Sequence, residues 1–142
     1  MENKTLKNFI STTVDSSLES SVSDCVSELM NAAVSFHKLH LKITNIGSYA
    51  GHKALNEIYD VLPDLADNLA EQFQGVNEKI LNYQNNSLKI LNSVEDAVSY
   101  LKELYAMINN LQSKLPYSEI VNELDNAKSQ INSTKYKLLF LK

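Results

Sequence analysis

The feature that most constrains this chain is the regular four-and-three spacing of its apolar residues, which is the spacing of one face of an α-helix. The spacing occurs in four stretches, which run from Leu18 to Phe36, from Leu55 to Val76, from Leu91 to Leu111 and from Ile120 to Leu141. Only three Gly and two Pro occur among the 142 residues, so the turns that an all-β chain needs are scarce. The spacing therefore predicts an all-α fold, a four-helix bundle that occupies residues 1–142 as one domain.

Turn and capping residues predict where these helices begin and end. They are Ser16, Ser17 or Ser20 before the first helix, Gly47 and Ser48 between the first and second, and Ser118 before the fourth. Residues 1–17 are then expected to form a flexible or partly helical N-terminal segment. Pro63 interrupts the second stretch without shifting its apolar period, which predicts one kinked helix.

The connection between the second and third helices decides which kind of bundle forms. Ferritin-like bundles have one long crossover there, whereas simple bundles have short loops throughout. The polar run from Gly75 to Ser87 can stretch to about 40 Å at roughly 3.3 Å per residue, enough to run back along the bundle. A relaxed short loop fits the sequence equally well, and both connections stay open at this point.

Charge and composition exclude several classes of function. The net charge of −4 disfavours nucleic-acid binding, which depends on clustered Lys and Arg. No apolar run reaches the roughly 18 to 20 residues that span a bilayer, so we expect no membrane partner and an intracellular protein. Cys25 is the only cysteine, which excludes a cysteine-based metal site. Its position in a helical apolar stripe predicts that it is a core residue.

Two histidines flank the turn between the first and second helices. His40 continues the apolar stripe of the first helix, and His52 lies near the start of the second. Such a histidine is most often a core residue bonded to a backbone carbonyl, because an unpaired buried polar group costs about 1 to 3 kcal/mol.

A second polar set shares the helix of His52 and favours a metal site instead. His52, Asn56, Asp67 and Glu71 lie within one sector of about 100° at 100° per residue, away from the apolar stripe. Asp67 and Glu71 are therefore expected to face solvent in one chain. Asp67 also lies about 22 Å from His52 at 1.5 Å per residue, too far for one metal ion. Two copies packed antiparallel about a two-fold axis would bring the two ends together and form two such sites.

These residues and their spacing resemble the Dps family of mini-ferritins, the DNA-binding proteins from starved cells. The resemblance lies in His40-Leu-Lys-Ile-Thr-Asn-Ile-Gly-Ser-Tyr-Ala-Gly-His52, in Asn56 and in Asp67-Asn-Leu-Ala-Glu71. In that family a His, a second His twelve residues later, a carboxylate four residues on and an Asp-x-x-Ala-Glu element form a ferroxidase site shared by two subunits. The resemblance implies that His40, His52, Asn56, Asp67 and Glu71 bind iron as Fe²⁺ and Fe³⁺. It also implies a two-fold dimer within a shell of twelve subunits.

Two positions depart from the family pattern. Asn56 stands where the family usually has an Asp, which replaces an anionic ligand by a neutral amide. Leu41 stands where the family commonly has a Trp beside the first histidine. Two hypotheses follow: an iron-binding mini-ferritin with ferroxidase activity, or a catalytically inactive structural or interaction protein that keeps the bundle and the dimer interface.

Other polar and aromatic residues near the site receive simpler interpretations. His37 is interpreted as a bystander, and Glu57, Asp60 and Asp64 as solvated acids. The seven tyrosines are spread along the whole chain, which indicates packing rather than a platform for stacking bases.

Overall fold

The computed structural model describes the backbone of residues 2–142 and the side chains of residues 16–142. Within that part of the chain it contains helices and no strand, which confirms the all-α prediction. The four helices are α1 (Glu2–Lys42), α2 (Ser48–Asn77), α3 (Val94–Gln112) and α4 (Ser118–Phe140).

The predicted cap at the start of the first helix is wrong, because α1 already begins at Glu2. No Gly or Pro occurs between residues 2 and 42 to stop the helix. The serines expected to cap it, Ser16, Ser17 and Ser20, lie inside it, and the carbonyls of Ser17 and Ser20 accept from serine hydroxyls one turn later. Ser21 Oγ donates to the Ser17 carbonyl at 3.0 Å. A serine in a polar helical stretch is therefore compatible with continuation as well as with capping.

The predicted caps of α2 and α4 are displaced by one residue. Gly47 caps α2 with a φ of 85°, a left-handed conformation that glycine adopts without a steric penalty, so Ser48 is the first helical residue. Tyr117 occupies the cap position of α4, and Ser118 follows it inside the helix. A serine hydroxyl does cap α3, where Ser93 Oγ accepts from the Asp96 N–H at 3.0 Å.

Helix α2 continues through Pro63 as a single segment, as its unbroken apolar period predicts. Pro63 is exposed, so its ring lies away from the bundle core. Because proline lacks an N–H, the carbonyl of Tyr59 one turn earlier loses its usual helical partner.

The segment between α2 and α3 is a long crossover that runs along α1. Three polar side chains of α1, spaced four residues apart, donate to successive backbone carbonyls of this segment: Ser27 to Gln84 at 3.2 Å, Asn31 to Asn86 at 2.8 Å and Ser35 to Lys89 at 2.7 Å. The crossover thus travels parallel to α1 and returns the chain to the end where α2 began. Helix α3 is then parallel to α2, which is the one-crossover connectivity of ferritin-like bundles.

The core lies between the four helices and consists mainly of the residues of the predicted stripes. Two stripe positions near helix ends are exceptions, because Val76 and Leu141 are exposed. Thr134 is fully buried and satisfies its hydroxyl by accepting from Gln130 Nε2 at 3.1 Å. In the part of the chain that the structure describes, no helix is both long enough and apolar enough to cross a membrane.

Candidate metal centre

The short loop between α1 and α2 brings His40 and His52 into direct contact. Nδ1 of His40 lies 3.1 Å from the backbone oxygen of His52, and Nδ1 of His52 lies 3.2 Å from the backbone oxygen of His40. The two imidazole rings stack with their centroids 3.7 Å apart and their planes inclined by 23°. His40 is buried and His52 is partly exposed. The helix ends are therefore held together by a symmetric pair of hydrogen bonds.

These hydrogen bonds assign the tautomer of both rings. A carbonyl oxygen only accepts, so each Nδ1 must carry the proton and donate it. In a neutral imidazole, Nε2 then keeps a free lone pair. Metal-binding histidines commonly show this arrangement, in which a carbonyl fixes one ring nitrogen and the other is left for the metal. The predicted carbonyl partner of His40 is confirmed, and it is compatible with a ligand role.

Tyr59 and His37 complete the cluster, although the sequence analysis assigned neither to the site. The Tyr59 hydroxyl donates to Asn56 Oδ1 at 2.5 Å and lies 3.5 Å from His40 Nε2. Its ring stacks on that of His37 with centroids 4.0 Å apart and planes inclined by 7°. Helical periodicity could have identified Tyr59, because this residue follows His52 by seven positions and Asn56 by three, which places all three on one side of α2.

The acids closest to this cluster have partners of their own. Asn56 Nδ2 donates to Asp60 Oδ2 at 3.1 Å, and Glu57 forms an ion pair with Lys137 of α4. Asp60 and Glu57 are exposed, but their interpretation as merely solvated acids is incomplete. Asp64 is exposed as well.

The second half of the predicted ligand set is far from the first within one chain. Asp67 and Glu71 lie on the exposed side of α2, as the periodicity predicts. About four helical turns separate Asp67 from His52, close to 22 Å at 1.5 Å per residue, and Glu71 lies one turn further along α2. Among the residues that the structure describes, no three His, Cys, Asp or Glu side chains are grouped so that they could hold a metal ion. One chain thus brings together His40, His52 and Asn56 and leaves Asp67 and Glu71 apart.

Cys25 does not contribute a ligand to this centre. Its side chain is fully buried, as predicted. Burial, followed by the nearby charges of Glu28 and Asp24, raises the pKa of the thiol to about 12. The thiol therefore stays protonated at neutral pH, whereas a metal requires the thiolate.

A second polar cluster lies beside the crossover, and the sequence analysis did not identify it. The hydroxyl of Tyr100, a nearly fully buried residue, donates to Glu28 at 2.5 Å, and burial together with this bond raises the pKa of Tyr100. Glu28 also accepts from Asn86 Nδ2 at 3.3 Å. The cluster joins α1, α3 and the crossover, which gives it a structural role in fixing the chain path.

Comparison with known proteins places the chain in a family. Residues 40–138 match the family described as "Family of unknown function (DUF5856)", and this match covers more than half of the chain. The chain belongs to this family. The region shared with DUF5856 begins at His40 and includes every predicted ligand through Glu71.

The chain is also similar to a phage protein. The chain is 30% identical over 115 residues to the "Uncharacterized 14.6 kDa protein in mobD-ri intergenic region" of Enterobacteria phage T4. The aligned segment covers 80% of this chain and 80% of the phage protein. No solved structure matches the chain.

Proposed function

We propose that this DUF5856 protein binds ferrous iron as its substrate at a site completed by two subunits, and that it oxidises the iron there. One subunit supplies His40, His52 and Asn56, and the other supplies Asp67 and Glu71. Each bound ferrous ion gives up one electron to dioxygen or a peroxide. The protein is then a self-assembling mini-ferritin of the kind that its resemblance to the Dps family implies.

The observation that carries this proposal is the reciprocal pairing of His40 and His52. Both Nδ1 protons are used by backbone carbonyls, at 3.1 Å and 3.2 Å, so both Nε2 lone pairs remain for a metal. The Tyr59 hydroxyl has one proton, which it donates to Asn56. His40 Nε2, 3.5 Å from that oxygen, therefore has no hydrogen-bond donor there. A bound cation would accept the lone pairs of both His40 Nε2 and the Tyr59 hydroxyl oxygen.

The donor set fits iron when both subunits contribute. Two imidazole nitrogens, one amide oxygen and two carboxylates form a mixed nitrogen and oxygen set, which suits ferrous iron better than a soft metal. Asn56 Oδ1 already accepts from Tyr59, but a carbonyl oxygen has a second lone pair for a metal. The hydrogen bond from Asn56 Nδ2 to Asp60 fixes which atom of the amide faces the cluster.

The partner subunit supplies the negative charge that one chain lacks near its histidines. Asp67 and Glu71 are exposed and lie one turn apart on α2. In an antiparallel dimer, the half of α2 that carries them faces the half that carries His52 and Asn56. The two-fold axis then generates two equivalent sites.

Ferrous loading tests this proposal. The purified protein is titrated anaerobically with Fe²⁺ and then exposed to oxygen, while bound iron and the ferric absorbance are measured. We expect stoichiometric sites and a multi-subunit particle for the wild type, and loss of both iron binding and oxidation for His52→Ala. Tyr49→Ala is the control, because it removes an exposed aromatic ring one turn before His52. A wild-type protein that binds no ferrous iron would refute the proposal.

One observation favours a second candidate, a structural protein that has kept the bundle and lost the iron chemistry. Asn56 is a neutral residue at a ligand position, and both ends of its amide are already hydrogen bonded within the chain. In that case the wild type shows no stoichiometric iron sites, whereas Asn56→Asp restores an anionic ligand and creates them. Stoichiometric iron uptake by the wild type, equal to that of Asn56→Asp, would exclude this candidate.

A further inference from the structure

An apolar stripe follows the outer side of α1, outside the bundle core. Met30, Val34 and Leu41 expose 43%, 41% and 72% of their surfaces. Their spacing places all three within a sector of about 40° at 100° per residue. Three large apolar side chains aligned on one exposed helix face indicate a surface that contacts another molecule.

A cavity of about 470 Å³ opens at the Met30 end of this stripe. Its wall contains Val26 and Met30 of α1, Ala70 of α2 and Tyr83 of the crossover, so much of it is apolar. Leu41 lies at the other end of the stripe, eleven residues beyond Met30, which is about 16 Å along the helix. One chain thus carries an exposed apolar side chain and an open apolar cavity on the same face. Leu41 cannot fill the cavity of its own chain, because the two lie about 16 Å apart on one helix.

The register of the proposed iron site brings these two features together. An antiparallel pairing that sets His52 against Glu71 and Asn56 against Asp67 has its midpoint between Val61 and Leu62. The stacking of His37 on Tyr59 fixes the relative height of α1 and α2.

From that height, the midpoint on α1 falls between Val34 and Ser35. Leu41 of one copy then lies opposite Glu28 of the other, next to Ser27 of the cavity wall.

Charge supports the same antiparallel direction. In the described part of α1, the acids Glu19 and Asp24 precede the midpoint, and the lysines Lys38 and Lys42 follow it. Two copies of α1 packed antiparallel therefore place each acidic half beside a basic half, whereas parallel packing places like charges together.

We infer that the outer face of α1 and α2 is a docking surface for a second copy of this chain, and that Leu41 of each copy inserts into the cavity beside Met30 of the other. The inference rests on the proposed function for its register. It assigns Leu41 the role of the apolar anchor that aligns the two halves of each iron site. Two such insertions, related by the two-fold axis, fix the register from both ends.

Engineered cysteines test this contact directly. A chain carrying both Met30→Cys and Leu41→Cys cannot form an internal disulfide, because about 16 Å separates the two positions on one helix. With a short bismaleimide, we expect this double variant to form a covalent dimer. Val34→Cys alone should also form one, because Val34 lies beside the two-fold axis. Leu41→Cys alone should not, because the two copies of Leu41 are about 20 Å apart. Native Cys25 is fully buried and does not react.

The matched control is a chain with Met30→Cys and Ile46→Cys. Ile46 is a fully exposed apolar residue just beyond α1, so it reacts by random collision at least as readily as Leu41. We expect covalent dimer from the Met30 and Leu41 pair at more than about ten times the rate of this control. Equal rates would overturn the inference.

The cross-link and the iron titration separate the two proposals. A specific cross-link without iron sites leaves the docking surface standing and refutes the proposed function. Stoichiometric iron binding without the cross-link leaves the proposed function standing and refutes the docking surface.

Discussion

The two halves of α2 carry the two halves of the predicted ligand set, but the chain treats them differently. In the first half, His52 and Asn56 are hydrogen bonded to groups of the same chain and packed beside Tyr59. In the second half, Asp67 and Glu71 are exposed on the helix surface. The ligands of the first half are therefore held by contacts within the chain, whereas those of the second half are exposed to solvent. Substitutions of ligands in either half should abolish iron binding, but only those in the first half should lower the stability of the chain.

The largest loss of stability is expected for His40→Ala. The substitution removes a buried ring, its stacking on His52 and the hydrogen bond that its Nδ1 donates to the His52 carbonyl. We expect the free energy of unfolding to fall by about 2 to 3 kcal/mol, measured by urea denaturation. His37→Ala, which removes an exposed ring, is the control and should cost less than about 1 kcal/mol. Equal losses for the two variants would mean that the stacked pair does not hold the helix ends together.

A smaller effect is expected for Tyr59→Phe. The ring still stacks on His37, but Asn56 Oδ1 loses the hydroxyl that donates to it. The free energy of unfolding should fall by about 1 kcal/mol. Tyr49→Phe removes the hydroxyl of an exposed tyrosine and should change it by less than about 0.5 kcal/mol. Indistinguishable denaturation midpoints for the two variants would show that the Tyr59 hydroxyl contributes nothing to the cluster.

The smallest effect on stability is expected for Asp67→Ala, in the second half of α2. Its exposed carboxylate has no role in the fold, so the free energy of unfolding should change by less than about 0.5 kcal/mol. Iron binding should nevertheless be lost. Asp64→Ala removes an exposed carboxylate one turn earlier and should preserve both properties. Retained iron stoichiometry in Asp67→Ala would remove this residue from the ligand set.

The sequence predicted most of the fold because apolar periodicity reports directly on burial. The four stripes, the continuity of α2 through Pro63 and the burial of Cys25 are all confirmed. The start of α1 was predicted wrongly, because a serine is as compatible with a polar helix surface as with a cap. The crossover stayed undecided because it depends on tertiary hydrogen bonds, such as that from Asn31 to the Asn86 carbonyl, which local sequence does not encode.

In the candidate site too, local sequence predicts some features, whereas others depend on tertiary packing. The face of α2 that carries the predicted ligands follows from helical geometry, and the exposure of Asp67 and Glu71 is confirmed. The contacts around the histidines do not follow from it, because they depend on how α1 packs against α2. Tyr59 belongs to the site through that packing, as does His37, which was interpreted as a bystander.

Complementation between two inactive variants tests the central claim most directly. His52→Ala and Asp67→Ala are co-expressed so that mixed dimers form. In a mixed dimer, one site carries both defects and the other is intact, because each site takes its histidines from one subunit and its carboxylates from the other. Random pairing makes half of the dimers mixed, so the pool should recover about a quarter of the wild-type ferrous oxidation per chain. A pool no more active than either variant alone, with an active wild type measured in parallel, would contradict a site shared between subunits.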